Sequence, residues 1–312
     1  MVNQGDFRLI TRADFDGIVC AALLDELGLI RDVEFARPKD MQDGRVPVEN
    51  TDILANLPFN PNAHMVFDHH SSESVRIHQK SVNFIISPSA KSAARVIYDH
   101  YEGPANFPHQ KYYSLMEAVD KCDSGQFNMR EIMAPTGWIL INFLIDPRTG
   151  ITNNDAFKSN HTNFLKQLVG WCQEHTIEEI VEFNEVKQRV DFYKSNDRLY
   201  KDQLKEITRI KGNVAIVDLR GQTGDYIGNR FILYALFIEA NISIEISNNE
   251  RTGRTELALG KSVLNQSSNL NIAALMLKYG GGGHANAGTC QVPIENADRI
   301  ASEIIDYINR EE

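Results

Sequence analysis

Between Phe7 and Ile86 the chain repeats one pattern, a short apolar run closed by a turn, at Phe7–Thr11, Val33–Ala36, Ile53–Leu57, Met65–Phe67 and Phe84–Ile86. Each run is too short for a helix and is bounded by polar or turn-forming residues, so all five read as strands. An Ala- and Leu-rich helix over Ile18–Leu27 separates the first two, after a turn at Arg12–Gly17. Strands alternating with helices predict an α/β fold with a parallel sheet. Such a sheet collects its ligands beyond the carboxyl ends of the strands, which makes the strand ends the first place to look for chemistry.

Three acidic clusters fall at run ends: Asp14 with Asp16, Asp52, and Asp68-His69-His70. Asp52 differs from the others in opening its run rather than closing it. Asp14 and Asp16 can serve a cation, with Gly17 allowing the sharp bend that follows, or can equally cap a helix. The Asp68-His69-His70 string offers hard oxygen and borderline nitrogen donors side by side, a mixture that suits Mn²⁺ better than an oxygen-only Mg²⁺ or Ca²⁺ cage. Asp120 and Asp123, three residues apart at the end of a helical stretch, share one helix face and are alternative further ligands.

Past residue 90 the pattern turns helical, over Lys91–Tyr101, Gln110–Lys121, Gly137–Ile145 and Ala156–Val169. From Thr176 to Ile207 apolar residues recur among many charges, as in one or two long helices bridging to a second domain. Strand-like runs then return at Val214–Leu219, Ile242–Ile246, Glu256–Leu259 and Cys290–Val292, with helices expected at Asn229–Ala240, Asn271–Tyr279 and Glu295–Arg310. A length of 312 residues exceeds what one core usually organises, which also favours two domains.

Between the helix expected at Asn271–Tyr279 and the strand expected at Cys290–Val292 stands Gly280-Gly281-Gly282-Gly283-His284. A run of glycines exposes successive backbone N–H groups to an anion, and His284 adds a side-chain donor. Linkers mix glycine with serine and rarely lie between two apolar elements, so phosphate binding is the better reading.

A formal net charge of −10 disfavours a long grip on duplex nucleic acid, which needs many cationic contacts to phosphates. Cys20, Cys122, Cys172 and Cys290 are scattered without a CxxC pair, so neither a zinc ribbon nor a disulfide framework is expected. The N-terminus shows no basic region leading into an apolar one, and no run reaches membrane-spanning length. A cytoplasmic protein with no membrane partner is the expectation.

The ordered set DFDG, TD, DHH, an aspartate segment at Asp120–Phe127 and a distal GGGGHANAG resembles the DHH/DHHA1 phosphoesterases, and it spans the chain from Asp14 to Gly288. That resemblance implies an N-terminal DHH domain at 1–175, a helical linker at 176–210 and a smaller α/β DHHA1 domain at 211–312. It further implies a manganese site, of one or two ions with Mg²⁺ as the substitute, formed from Asp14, Asp16, Asp52, Asp68, His69 and Asp123, with Asp120 competing for the last place. His70 matches a residue beside the substrate phosphate, and Gly281, Gly282, Gly283 and His284 match a loop holding the substrate's far end. Arg220 and Lys261 are further phosphate contacts or ordinary surface charges.

One departure stands out. The family pattern resembles THxDxDG, but here Thr11 is followed by Arg12, and a guanidinium has no lone pair to offer a cation. An ion between Asp14 and Asp52 is then weakened or lost, and Arg12 is free to grip a phosphate bidentately. The expected activity is hydrolysis of short oligonucleotides or small nucleotide phosphoesters in a cleft between domains, by a protein that could form a homodimer. A nucleotide-binding protein without catalysis and an exopolyphosphatase are the rival expectations.

Overall fold

The computed structural model describes residues 5–70, 82–158, 160–224, 226–249 and 252–312. They divide into two compact units, one of residues 1–126 and 135–192, the other of residues 127–134 and 193–312. The division falls inside a single long helix, Asn184–Ile207.

The first unit is built on five strands, β1 (Phe7–Thr11), β2 (Ile30–Phe35), β3 (Asp52–Ala55), β4 (Met65–Asp68) and β5 (Phe84–Ile86). Their order across the sheet is β2-β1-β3-β4-β5, and every pair is parallel. β1 and β3 are buried along nearly all their length, because helices cover both faces as a parallel sheet requires. Ile10, Leu54, Leu57 and Val66 join Met41 and Ala63 in one core cluster under the sheet. Helix α1 (Phe15–Glu26) is buried from Phe15 to Leu24, which explains why its sequence is apolar on every side rather than along one stripe. After α2 (Pro38–Gln42), two further helices shape the site, α3 (Ala93–His100) and α4 (Gln110–Asp123).

The chain continues through α5 (Met129–Met133), α6 (Gly137–Ile145), α7 (Asp155–Lys158), α8 (His161–Glu174), α9 (Ile177–Ile180) and α10 (Asn184–Ile207). The single helix expected over Ala156–Val169 is thus two, α7 and α8. A capping box of Thr176 and Glu179 starts α9, so the stretch to Ile207 is a short helix followed by a 24-residue one.

The second unit carries a six-stranded mixed sheet, ordered β10-β11-β9-β8-β7-β6. Its strands are β6 (Thr208–Lys211), β7 (Val214–Asp218), β8 (Ile242–Asn249), β9 (Arg254–Lys261), β10 (Gly282–His284) and β11 (Ala287–Pro293). The long helix expected at Asn229–Ala240 shrinks to α11, Ile232–Leu236. Asn229, instead of opening a helix, is buried and donates its side-chain amide to the Ile132 carbonyl. Helices α12 (Ile272–Leu277) and α13 (Ala297–Glu311) supply Ile272, Leu275, Ile304 and Ile308 to the core of this unit, in one cluster with Ile244, Leu257 and Val292.

Candidate metal centre

The site begins at the carboxyl end of β1, where the chain turns so tightly that a Cβ on Gly17 would lie 2.0 Å from the Arg12 carbonyl oxygen. Only glycine fits. Asp14 is the N-cap of α1, its Oδ1 accepting from the Gly17 amide at 3.0 Å. The same carboxylate meets Arg12 Nε at 3.0 Å and the Asn56 side-chain amide at 3.2 Å. The capping role weighed for Asp14 is the one the local geometry displays, and its remaining charge faces Arg12.

Asp16 is almost wholly buried and lies against the amino end of α3, accepting from the amides of Ala93 at 2.9 Å and Ala94 at 2.8 Å. A helix amino end favours an anion. Even so, burial first and the charge of Asp14 second push the Asp16 carboxyl up to about 7 against those two amides. Asp123, the last residue of α4, is raised well above the usual carboxylate range by burial and by Asp16 and Asp14. Clustered carboxylates of this kind call for a cation.

His69 completes the group. Its Nδ1 faces the Ala90 carbonyl oxygen at 3.3 Å, an acceptor, so this nitrogen carries the proton. The bare Nε2 then points its lone pair toward Asp123 Oδ2, 3.2 Å away, and finds no hydrogen-bond donor among the described residues. Burial, followed by the charge of His70, lowers the His69 pKa and keeps the ring neutral. Donor atoms of Asp16, His69 and Asp123 all lie within 4.8 Å of one another. Two carboxylates and a bare imidazole nitrogen, with the second imidazole nitrogen held by a carbonyl, are donors of a kind that could hold a divalent cation.

Asp68 and His70 stand beside this triad without belonging to it. His70 Nδ1 is 2.7 Å from Asp68 Oδ1, while buried Asp68 Oδ2 has no partner among the described residues. Burial works to lower His70, but the hydrogen bond and charge of Asp68 outweigh it, and the net shift is upward.

Two of the expected ligands, Asp52 and Asp120, lie apart from this triad. Asp52 starts β3 and pairs in register with Arg8, whereas the carboxyl end of β3 is level with Thr11. Its carboxylate is filled at the amino-terminal end of the strands, away from the triad, by Arg8 Nε at 2.8 Å, Arg8 Nη2 at 2.7 Å and the Glu49 amide at 2.8 Å. The place beside Asp14 belongs to Asn56, a residue with φ of 56° whose buried Oδ1 has no partner among the described residues. The sequence signal for it was position alone: Asn56 lies within the run that follows Asp52. Asp120 points elsewhere, held by Arg95 Nε at 3.0 Å, Arg95 Nη2 at 2.8 Å and the Ser92 hydroxyl at 2.7 Å. Asp123 alone of the two faces His69 and Asp16.

In the second unit the glycine run is not an open loop. Gly282–His284 form edge strand β10, antiparallel to β11, and a Cβ on Gly281 or Gly283 would come within 2.1 Å or 2.3 Å of carbonyl oxygens on that neighbour. Close backbone approach is thus one reason for glycine there. Arg220 is clamped by Asp218 and by Asp298, each at 2.7 Å, and Lys261 Nζ donates to the Ser268 carbonyl at 3.2 Å. Both cations already serve bonds within their own unit.

No protein-family model matches the chain, and no curated protein matches it. Among solved structures, it is similar to a pGpG-specific phosphodiesterase, PggH, from Vibrio cholerae, with 45% identity over 98% of this chain and 100% of that one and a TM-score of 0.85. The fold is shared with the DHH domain of a member of a family of ribosomal proteins, at 10% identity, TM-score 0.62 and coverage of 99% and 87%. It is shared also with Mn²⁺-bound RecJ from Thermus thermophilus, at 10% identity and TM-score 0.55, where this chain matches over 99% of its length and spans 53% of RecJ.

Proposed function

The chain belongs to the DHH/DHHA1 superfamily of phosphoester hydrolases, and from that premise we propose that it hydrolyses short linear dinucleotides of the pGpG kind with the help of a divalent cation, Mn²⁺ in preference to Mg²⁺. The observation that carries this reading is the convergence of Asp16, His69 Nε2 and Asp123, an acidic cluster whose imidazole lone pair has no proton to meet. A divalent cation bound there would neutralise phosphate charge and lower the pKa of a water. Residues 1–175 are then the catalytic domain, 211–312 the substrate-binding domain and 176–210 the helical linker.

The surrounding side chains divide the remaining work. Asp68 orients His70 and favours its protonated form, so that His70 donates to a phosphate oxygen or gives a proton to the departing oxygen. Arg12, beside Asp14, supplies a fixed positive charge to a second phosphate oxygen. Among the described residues no helix is long and apolar enough to cross a membrane. Cys20, Cys172 and Cys290 are buried thiols outside any disulfide, in keeping with a reducing cytoplasm.

We assign one ion rather than two. Asp14 is already neutralised by Arg12 and hydrogen-bonded by Asn56, and Asp52, the expected shared ligand, is locked to Arg8. Metal analysis of the purified protein is expected to give one Mn²⁺ per chain. The double change Arg12→His with Asn56→Asp is expected to raise this to two, since it replaces a cation and an amide by two ligands around Asp14. Two ions in the unmodified chain, or no gain in the double variant, would contradict the assignment.

Substrate choice is tested by turnover of pGpG, cyclic dinucleotides and polyphosphate at equal Mn²⁺. Hydrolysis of pGpG well ahead of the others supports the reading. Preferential release of phosphate from polyphosphate would replace it with exopolyphosphatase activity, and no turnover at all with binding alone.

A further inference from the structure

One short stretch, from Ala90 to the first turn of α3, supports two of the three donors directly. The Ala90 carbonyl faces His69 Nδ1 at 3.3 Å. The Ala93 and Ala94 amides each donate to one oxygen of Asp16, at 2.9 Å and 2.8 Å. Between them Ser92, fully buried, is the N-cap of α3, and its hydroxyl oxygen accepts from the Arg95 amide at 3.0 Å. The first three amides of the helix are therefore all assigned, two to Asp16 and one to the cap.

Asp120 grips the same turn from α4. Its Oδ1 accepts the single Ser92 hydroxyl proton at 2.7 Å, and its Oδ2 accepts from Arg95 Nε at 3.0 Å and Nη2 at 2.8 Å. One carboxylate thus holds both the cap of α3 and the third residue of its first turn. Capping the helix needs Ser92 alone; fixing its turn against α4 needs Asp120. Three residues on, the same α4 ends in Asp123, the third donor. Asp120 therefore joins the turn whose amides hold Asp16 to the helix that carries Asp123. Outer partners of this kind set where metal ligands point.

We propose that Asp120 is a positioning residue for the cation site: with Ser92 and Arg95 it fixes the spacing of Asp16 and Asp123, and it does so without touching the ion. The proposal rests on the cation reading above but not on the choice of substrate. Its test is Mn²⁺ binding to the whole chain without substrate, followed by the electron paramagnetic resonance of the free ion. Asp120→Asn is expected to weaken Mn²⁺ by about tenfold, the usual cost of losing an outer partner. Arg95→Met separates positioning from ligation. It removes a positive charge and frees Asp120, so a ligating Asp120 would bind Mn²⁺ more tightly, whereas a broken clamp binds it about tenfold more weakly. Asp99→Asn is the charge-matched control, because Asp99 meets Arg95 Nη1 at 3.6 Å from a side chain 65% exposed, and the affinity should be unchanged. In turnover, Asp120→Asn and Arg95→Met should need about tenfold more Mn²⁺ for half-maximal rate, with KM for pGpG constant at saturating ion. Undiminished affinity in folded Asp120→Asn, tighter binding in Arg95→Met, or an equal loss in Asp99→Asn overturns the proposal. Should Asp120→Asn fail to fold, Arg95→Met decides alone. Weaker Mn²⁺ binding in both variants supports the clamp even where pGpG is left intact, and a parent chain that takes up no Mn²⁺ overturns the clamp and the cation reading together.

Discussion

Asp123→Asn is expected to reduce Mn²⁺-stimulated hydrolysis by about a thousandfold while making the cation-free protein more stable. The two halves of that result have one cause. Asp123 is held at high pKa by burial and by Asp16 and Asp14, so its charge is a liability in the absence of an ion. An asparagine removes the charge and can donate its amide to His69 Nε2, 3.2 Å from the present oxygen, a gain of about 1 kcal/mol. It removes one of three ligands at the same stroke, and a loss of about 4 kcal/mol in transition-state stabilisation corresponds to about a thousandfold in rate. Thermal unfolding in EDTA should therefore rank the variant above the parent, and saturating Mn²⁺ should reverse the order because only the parent binds the ion well. A variant that keeps its activity, or that melts lower than the parent in EDTA, would remove Asp123 from the cation site. His69→Ala is expected to show the same loss of rate.

The second large effect lies at the other end of the strands. Arg8→Met should destabilise the protein by about 3 kcal/mol, because it leaves the carboxylate of Asp52, 1% exposed, buried without its cation. The pH dependence identifies the cause. In the parent, burial acts to raise Asp52, but the Arg8 and Glu49 hydrogen bonds and the Arg8 charge outweigh it and leave the carboxyl below its usual pKa. A depressed carboxylate contributes stability above its unfolded pKa of about 4, and that contribution is lost as pH falls through the folded value. In Arg8→Met the Arg8 hydrogen bonds and charge are gone, so this acid-side loss should largely disappear. Urea titrations of both proteins between neutral and acid pH measure the difference. The folded variant should retain its Mn²⁺ stoichiometry and its kcat. Loss of bound Mn²⁺ with stability unchanged would instead return Asp52 to the metal centre.

Much of the fold was legible because parallel-sheet strands are continuous apolar runs. Each strand of the first sheet overlaps one of the expected runs, Phe7–Thr11 and Phe84–Ile86 agree to the residue, and β2 alone starts three residues early through the polar Arg31 and Asp32. Edge strands were less visible. β6 has three exposed residues of four, and β10 is two glycines and a histidine, so neither presents an apolar run. Expected helices were lengthened where apolar residues continued past the real end, as at Asn229–Ala240, where the burial of Asn229 is settled by its bond to Ile132.

Residue types and strand ends placed Asp16, His69 and Asp123 in view, and Arg12 announced a departure from the family pattern before any geometry was known. Which carboxylates meet was another matter. Asp52 and Asn56 are four positions apart along one stretch, yet strand rise of about 3.3 Å per residue sets them at opposite ends of the central strand. Asp120 and Asp123 share a helix face, but Arg95 and Ser92 capture one and leave the other to His69. The sequence determined the class of fold, the stock of ligands and the chemistry they allow, since these follow from local periodicity and side-chain type. Tertiary structure decided register and partnership, because a carboxylate becomes a ligand or a salt bridge according to the neighbours that long-range packing brings within about 3 Å of it.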